Sequence, residues 1–346
     1  MLYLPALYNL LHYVSIRAIL SLISTFLMSL FFGKKFIDFS RQTFQNQARA
    51  FTPANHQIKG KTPTMGGVFI ILVSIINILI WSDCSKSEPW LICATLLLFG
   101  SIGLLDDLHK VWHKKGIYPK LKFRMQIICS LIIAILWIWL KNPDPIIYIP
   151  IFKHATIYAG YFFIPWIMFV LIGTSNAVNL TDGLDGLAIG TLLLNFSFFT
   201  GVAYLAGHAE FASYLQMPLT GCCELVIAGA TLIGASLGFL WFNAHPAQIF
   251  MGDVGSLSLG ATLAIMALIT RQELLLPITG GIFVAETVSV IVQIFSIKIF
   301  GKKVFKMTPL HHHFEIMGWP EFKITLRFYI ITLLLCILTG IILKIR

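Results

Sequence analysis

The stretch PWLICATLLLFGSIGLLDDLHK, Pro89–Lys110, carries no charge from Pro89 to Leu105 and then closes on two adjacent aspartates and a lysine. An uncharged apolar run near the roughly 20 residues that a helix needs to cross about 30 Å of hydrocarbon reads as a membrane span. The pattern recurs at residues 15–33, 66–82, 125–141, 161–177, 187–206, 222–242, 255–270, 275–300 and 324–343. With 89–105 these make an all-α, polytopic membrane chain of ten transmembrane helices. Composition agrees, because 57% hydrophobic and 12% charged residues are unlike an average soluble domain. The whole chain, 1–346, reads as a single transmembrane domain with no repeat or tag. Residues 1–14 lack the basic start and small-residue cleavage site of a signal peptide, so the first span is expected to be retained.

Positive charge orients this bundle. Most of the 25 Lys and Arg residues collect in three connections: Lys34 to Lys61 after the first span, Lys110 to Arg124 after the third, and Lys298 to Arg327 around the connection after the ninth. In a ten-span chain these share one side, which the positive-inside rule makes cytoplasmic, so both termini are expected on the extracytoplasmic side. A net charge of +10 bordering lipid suits anionic headgroups or an anionic substrate; nucleic acid is not an expected partner. Six cysteines without C-x-x-C spacing read as small packing residues rather than metal or redox sites.

The acids are placed less evenly. Asp106 and Asp107 close span three, Asp182 and Asp185 lie in NLTDGLDGL after span five, and Asp253 lies in FMGDVGS before span eight. All five fall on the cytoplasmic side, and the loops holding the last three contain no Lys or Arg. Single acids at helix ends read as caps. Five together at membrane depth need a wet cavity, a partner or a metal, which makes them functional candidates.

Spacing narrows the chemistry. If the chain is helical there, Asp182 and Asp185 share one face, and Asn176 and Asn179 extend it backwards, while Gly183 and Gly186 leave room for a ligand. The EF-hand pattern is absent. In HQIKGKTPTMGG, Lys59 and Lys61 precede Thr64 and two glycines, a layout able to offer cations and backbone N–H groups to phosphate. In MTPLHHHFE, His311, His312 and His313 lie in a basic loop without cysteine; neighbouring residues converge poorly on one zinc ion, and phosphate contact or proton handling suits them better. Oxygen ligands beside phosphate-binding cations favour Mg2+. The residues alone therefore point to a magnesium-dependent enzyme acting on a phosphorylated lipid or nucleotide.

The blocks KTPTMGG, LLDDLHKV, NAVNLTDGLDGLAIG, FNAHPAQIFMGDVGS and PLHHHFE, in that order, resemble the phospho-N-acetylmuramoyl-pentapeptide transferases, a branch of the polyprenyl-phosphate N-acetylhexosamine-1-phosphate transferases. The resemblance implies a bacterial cytoplasmic (inner) membrane enzyme of peptidoglycan synthesis, a homodimer with its cleft facing the cytoplasm. Its reaction is transfer of phospho-N-acetylmuramoyl-pentapeptide from UDP-N-acetylmuramoyl-pentapeptide to undecaprenyl phosphate, giving lipid I and UMP. It further implies Asp253 as the Mg2+ ligand, with Asp106 and Asp107 beside the metal and phosphates. Lys59 and Lys110 would hold anionic substrate, and Asn176, Asn179, Asp182 and Asp185 would line the cleft. Asn243, Phe250, Gly252 and Gln293 fall on the nucleoside side, and His311, His312 and His313 approach the sugar phosphate, with His312 among the catalytic set.

The chain departs from the family's K-x-G-T-P-T-M-G-G, since Gly60 precedes Lys61; counting back from Thr62 favours Lys59 as the substrate lysine. Leu108 replaces the usual aromatic after the paired aspartates. Span nine is long, begins with Pro277 and Gly280-Gly281, and carries Glu286 and Gln293 seven apart, hence on similar faces; a bend there would open a sideways path for a polyprenyl tail, and a tilted helix bonded inside the bundle is the plainer reading. Two alternatives stand beside this one. A sister enzyme would transfer GlcNAc-1-phosphate from UDP-GlcNAc to a polyprenyl phosphate, and a transporter would place its polar groups near the midplane of repeated halves.

Overall fold

The computed structural model describes residues 11–43, 62–150, 152 and 155–345. Lys59 and Lys61 lie outside the described residues. Fifteen elements follow in order: α1 (Val14–Thr43), α2 (Gly66–Trp81), α3 (Ser87–His113), α4 (Pro119–Lys141), β1 (Ile146–Tyr148), β2 (Thr156–Tyr158), α5 (Phe163–Thr181), α6 (Leu187–Gly207), α7 (Ala209–Tyr214), α8 (Cys223–Asn243), α9 (Gly252–Ile269), α10 (Leu276–Thr279), α11 (Gly281–Phe300), α12 (Leu310–Ile316) and α13 (Glu321–Ile345).

Each of the ten expected segments is helical. Among the described residues, nine helices are long and apolar enough to cross a membrane, and the tenth, α2, has 16 residues. The fold is all-α apart from a small antiparallel β1–β2 hairpin. Nothing in the apolar periodicity announces that hairpin. Arg271, at the far end of α9 from Asp253, holds it: Nη2 donates to Asp144 O at 2.8 Å and Nη1 to Ile146 O at 3.3 Å. The guanidinium lies 5.4 Å from both the Trp137 and Phe163 ring centroids, so cation–π contact accompanies its hydrogen bonds.

Span nine is broken rather than continuous. Pro277 lies in the short α10, and Gly280, whose N–H donates to Leu276 O at 2.8 Å, separates it from α11. The helical run is interrupted where Pro277 and Gly280, two residues that weaken a helix interior, fall close together.

The centre of the bundle is α9, every residue of which from Val254 to Ile269 is buried. Without a hydrophobic force between helices inside lipid, close approach rests on small residues. A Cβ added to Gly67 would lie 2.0 Å from Gly255 N, and one added to Gly103 would lie 2.3 Å from the Asp253 carbonyl. These contacts seat the start of α9 between α2 and α3. The TPTMGG segment completes the seat with backbone bonds: Phe250 N to Pro63 O at 2.9 Å, Gly66 N to Phe250 O at 2.9 Å, and Gly67 N to Met251 O at 2.8 Å.

Gly67→Ala should therefore push α9 off α2 and destabilise the fold by about 1–3 kcal/mol. Thermal unfolding in detergent reads this, and an unchanged transition would show that the glycine contact does not hold α9.

Candidate active site

The last turn of α3 and the first turn of α9 meet at this seat and bring three acids together. Asp106 and Asp107 are buried at 4% and 3% exposure, and the ligand oxygens of Asp106, Asp107 and Asp253 lie within 4.8 Å of one another. Lys110, one turn further along α3, puts its Nζ at their focus: 2.8 Å from Asp106 Oδ2, 3.0 Å from Asp107 Oδ1 and 2.9 Å from Asp253 Oδ1. Lys122, near the start of α4, adds a second ammonium 3.4 Å from Asp106 Oδ2 and paired with Asp253 Oδ2. Backbone donors take the remaining oxygens, Ile117 N on Asp106 Oδ1 at 2.7 Å and Val254 N on Asp107 Oδ2 at 3.2 Å. Two cations and two N–H groups thus answer three carboxylates whose desolvation would otherwise be prohibitive.

Glycines keep this centre open. Gly252 has φ of 72°, the left-handed region that glycine enters freely, and a Cβ there would stand 2.5 Å from Asp107 Oδ2 and 3.1 Å from Thr64 Oγ1. Thr64 itself is tied to α1 by Ser40 Oγ donating to its carbonyl at 2.9 Å. Asn179 Nδ2 donates to Ser256 Oγ at 2.8 Å, and Ser256 Oγ donates in turn to Gly252 O at 3.0 Å. Asp182 is half-buried. Burial, reinforced by the charges of Asp253 and Asp107 and opposed by Lys110, pushes its carboxyl up to about 8.

Asp182 and Asp185 do not share a helical face, contrary to expectation. α5 ends at Thr181, residues 182–186 form turns, and Gly186 at φ 76° starts α6. The two carboxylates consequently diverge. Asp185 Oδ2 accepts Ala247 N at 3.1 Å and meets His245 Nδ1 at 3.1 Å, and Glu321 Oε2 lies 3.5 Å from the same ring nitrogen. Asn176 turns toward α4 in a reciprocal amide pair with Gln126, at 3.1 and 3.0 Å. Asn243 braces the next loop, accepting Gly186 N at 3.1 Å and donating to Ile249 O at 2.8 Å. Phe250 is half-buried and bonded through its backbone.

The histidines sit on the short helix α12, where successive residues turn by about 100°, and each finds different partners. His311 is 1% exposed; its N–H donates to Glu286 Oε1 at 3.1 Å and its Nδ1 lies 3.2 Å from the same oxygen. Its Nε2 packs on Gly183, where a Cβ would come within 2.1 Å. His312 Nδ1 meets Glu315 Oε2 at 2.6 Å, and His313 Nδ1 accepts Lys306 N at 3.2 Å. Gln293 pins the loop before α12, accepting Val304 N and Phe305 N and donating to Phe305 O. Glu286 is thus bonded inside the bundle.

Lys122, His245, Glu321 and Gln126 were not legible as site residues. Lys122 is one of several basic residues in its connection and shows no distinguishing spacing.

A family model described as glycosyl transferase family 4 matches residues 89–271, which include the acids and both lysines. A phospho-N-acetylmuramoyl-pentapeptide-transferase of Solidesulfovibrio magneticus is 46% identical over 342 residues, 98% of this chain and 96% of that one. Another so named, from Vesicomyosocius okutanii, is 48% identical over 339 residues, 96% and 94% of the two chains. The chain belongs to the phospho-N-acetylmuramoyl-pentapeptide-transferase family. It is a multi-pass membrane transferase of that family, and its acidic centre is compatible with a divalent metal: three hard oxygen donors already converge on one positive charge at 2.8–3.0 Å.

Asp253→Asn should weaken Mn2+ binding at least tenfold, or about as much as losing a supporting partner of a metal ligand, as read by electron paramagnetic resonance of the free ion. Lys110→Met should preserve or tighten it, because the ammonium and the ion compete for the same oxygens. Loss of Mn2+ binding in Lys110→Met would contradict that competition.

Proposed function

We propose that this transferase moves phospho-N-acetylmuramoyl-pentapeptide from UDP-N-acetylmuramoyl-pentapeptide to undecaprenyl phosphate, releasing UMP and forming lipid I. The convergence of Asp106, Asp107 and Asp253 on Lys110, with Lys122 alongside, carries the reading: it is a site for a cation and for phosphates at the end of a membrane helix. Relatives that match nearly the whole chain bear that activity in their names. In this reading the acidic centre faces the cytoplasm of a bacterial inner membrane and both termini face outward, an orientation that the positive-inside pattern supports. Two basic residues of the opposite end are paired, Arg17 with Glu224 at 2.7 Å and Lys141 with Glu88 at 2.5 Å.

Magnesium, held by Asp253 with Asp106 and Asp107 beside it, supplies Lewis-acid stabilisation of charge on the pyrophosphate when bound. Lys110 and Lys122 offset the negative charge of the donor and acceptor phosphates. The acceptor needs little help from a base, since a phosphate monoester with a second pKa near 6 is mostly dianionic at pH 7. Its oxygen attacks the β-phosphorus, and UMP departs with the bridging oxygen. Attack by Asp106 or Asp107 itself is disfavoured, because every carboxylate oxygen of the two already accepts an N–H or pairs with a lysine. Catalysis is then chiefly positioning and charge neutralisation.

Detergent-solubilised protein given undecaprenyl phosphate should release UMP from the muramoyl-pentapeptide donor with Mg2+ present, and Asp253→Ala should lower the rate by about a thousandfold. Turnover of UDP-GlcNAc in its place would assign the chain to the sister reaction. Metal-independent turnover would contradict the proposed role of the acidic centre.

A further inference from the structure

The last helix, α13, lies beyond the segment matched by the glycosyl transferase family 4 model, yet one of its faces is bonded to the turn that carries Asp182. Glu321, Thr325 and Tyr329 recur at every fourth position and so share a face. Glu321 Oε1 accepts Asp185 N at 2.8 Å, Thr325 Oγ1 donates to Asp185 O at 3.4 Å, and Tyr329 Oη donates to Gly186 O at 2.6 Å. The fit is close, since a Cβ on Gly190 would lie 2.1 Å from the Tyr329 ring. The residues that follow each of them, Phe322, Leu326 and Ile330, are exposed and apolar, as a lipid-facing surface requires.

The turn needs outside partners. With α5 ending at Thr181 and α6 beginning at Leu187, residues 182–186 sit between two helix termini, where backbone groups lack helical bonds. Two of those groups, Asp185 N and Asp185 O, are satisfied by Glu321 and Thr325, and Tyr329 Oη adds a second bond to Gly186 O, which also accepts Gly190 N at 2.9 Å. Asp182 opens the same turn, three residues after Asn179, which bonds Ser256 Oγ in the first turn of α9 at 2.8 Å, and Gly183 follows it against His311.

We propose that Glu321, Thr325 and Tyr329 are positioning residues, a polar stripe on the last helix that fixes the 182–186 turn and thereby the place of Asp182 beside the acidic centre. The proposal rests on the transferase reading above. None of the three touches the reacting groups; they act through the turn. The stripe also ties the turn to the loop carrying Phe250 and Gly252, because Glu321 and Asp185 flank His245.

The test uses the full chain in detergent and compares wild type with Glu321→Ala, Glu321→Gln and Tyr329→Phe, each alone and combined with Asp182→Asn. Removing one such bond should lower kcat about tenfold while the donor KM moves less than about threefold. Glu321→Gln keeps an oxygen acceptor for Asp185 N and should stay within about threefold of wild type. In the Asp182→Asn background the Glu321 and Tyr329 substitutions should add less than about twofold, because the group they position is already lost. Hydrogen exchange of the 182–187 backbone, independent of turnover, should quicken at least about tenfold in Tyr329→Phe with the unfolding transition retained. Full additivity with Asp182→Asn, or unchanged exchange, would overturn the proposal. Failure of wild type to turn over would instead count against the transferase reading, and the exchange result would still decide whether the stripe holds the turn.

Discussion

Lys110 meets three carboxylates at once, and the architecture is arranged so that it can. An isolated carboxylate buried at the end of a helical bundle is too costly to keep ionised; three within 4.8 Å are tolerated only with positive charge among them. Lys110 follows Asp106 by four residues on the same helix, so the last turn of α3 brings its own counter-charge. The third acid arrives from α9, and its arrival depends on backbones that touch at Gly67, Gly103 and Gly255. Small residues at the helix crossings and charge at the helix ends are therefore one design: the first permits the approach that the second requires.

The same arrangement limits the chemistry. Carboxylates whose oxygens are all engaged by N–H groups and ammonium groups are poor nucleophiles and good electrostatic scaffolds. An ammonium resting at their focus marks where a cation is welcome, and its flexible stem lets it yield that place and remain nearby for phosphate. Around this centre the cytoplasmic loops are held by side chain to backbone bonds: Asn243 on the loop after α8, Gln293 on the loop before α12, and Glu286 on His311. Several residues expected to meet substrate thus also serve as braces for the loops that would meet it.

Much of this was legible in the sequence, for identifiable reasons. Uninterrupted apolar runs reveal spans because a bilayer demands length, and acids at their ends stand out against a composition so poor in charge. The interruption of span nine was visible in Pro277 and Gly280. What escaped was set by tertiary context. The helical reading of 182–185 failed because α5 ends at Thr181 and Gly186, at positive φ, begins α6, so the five residues between are turns. Lys122 looked like any basic residue of its loop, and Glu321 like an ordinary acid at a helix start, since only folding brings them to Asp253 and Asp185. The β1–β2 hairpin is too short to show alternation, and its anchor, Arg271, is distant in sequence.

The central claim is that Asp106 and Asp107 hold and neutralise, and that the acceptor phosphate attacks directly. Stereochemistry at the transferred phosphorus tests it most directly, using a UDP-N-acetylmuramoyl-pentapeptide donor made chiral at the β-phosphorus and analysis of the lipid product by phosphorus NMR. A single in-line displacement predicts inversion. Retention would require two displacements through a covalent aspartyl intermediate and would contradict the account.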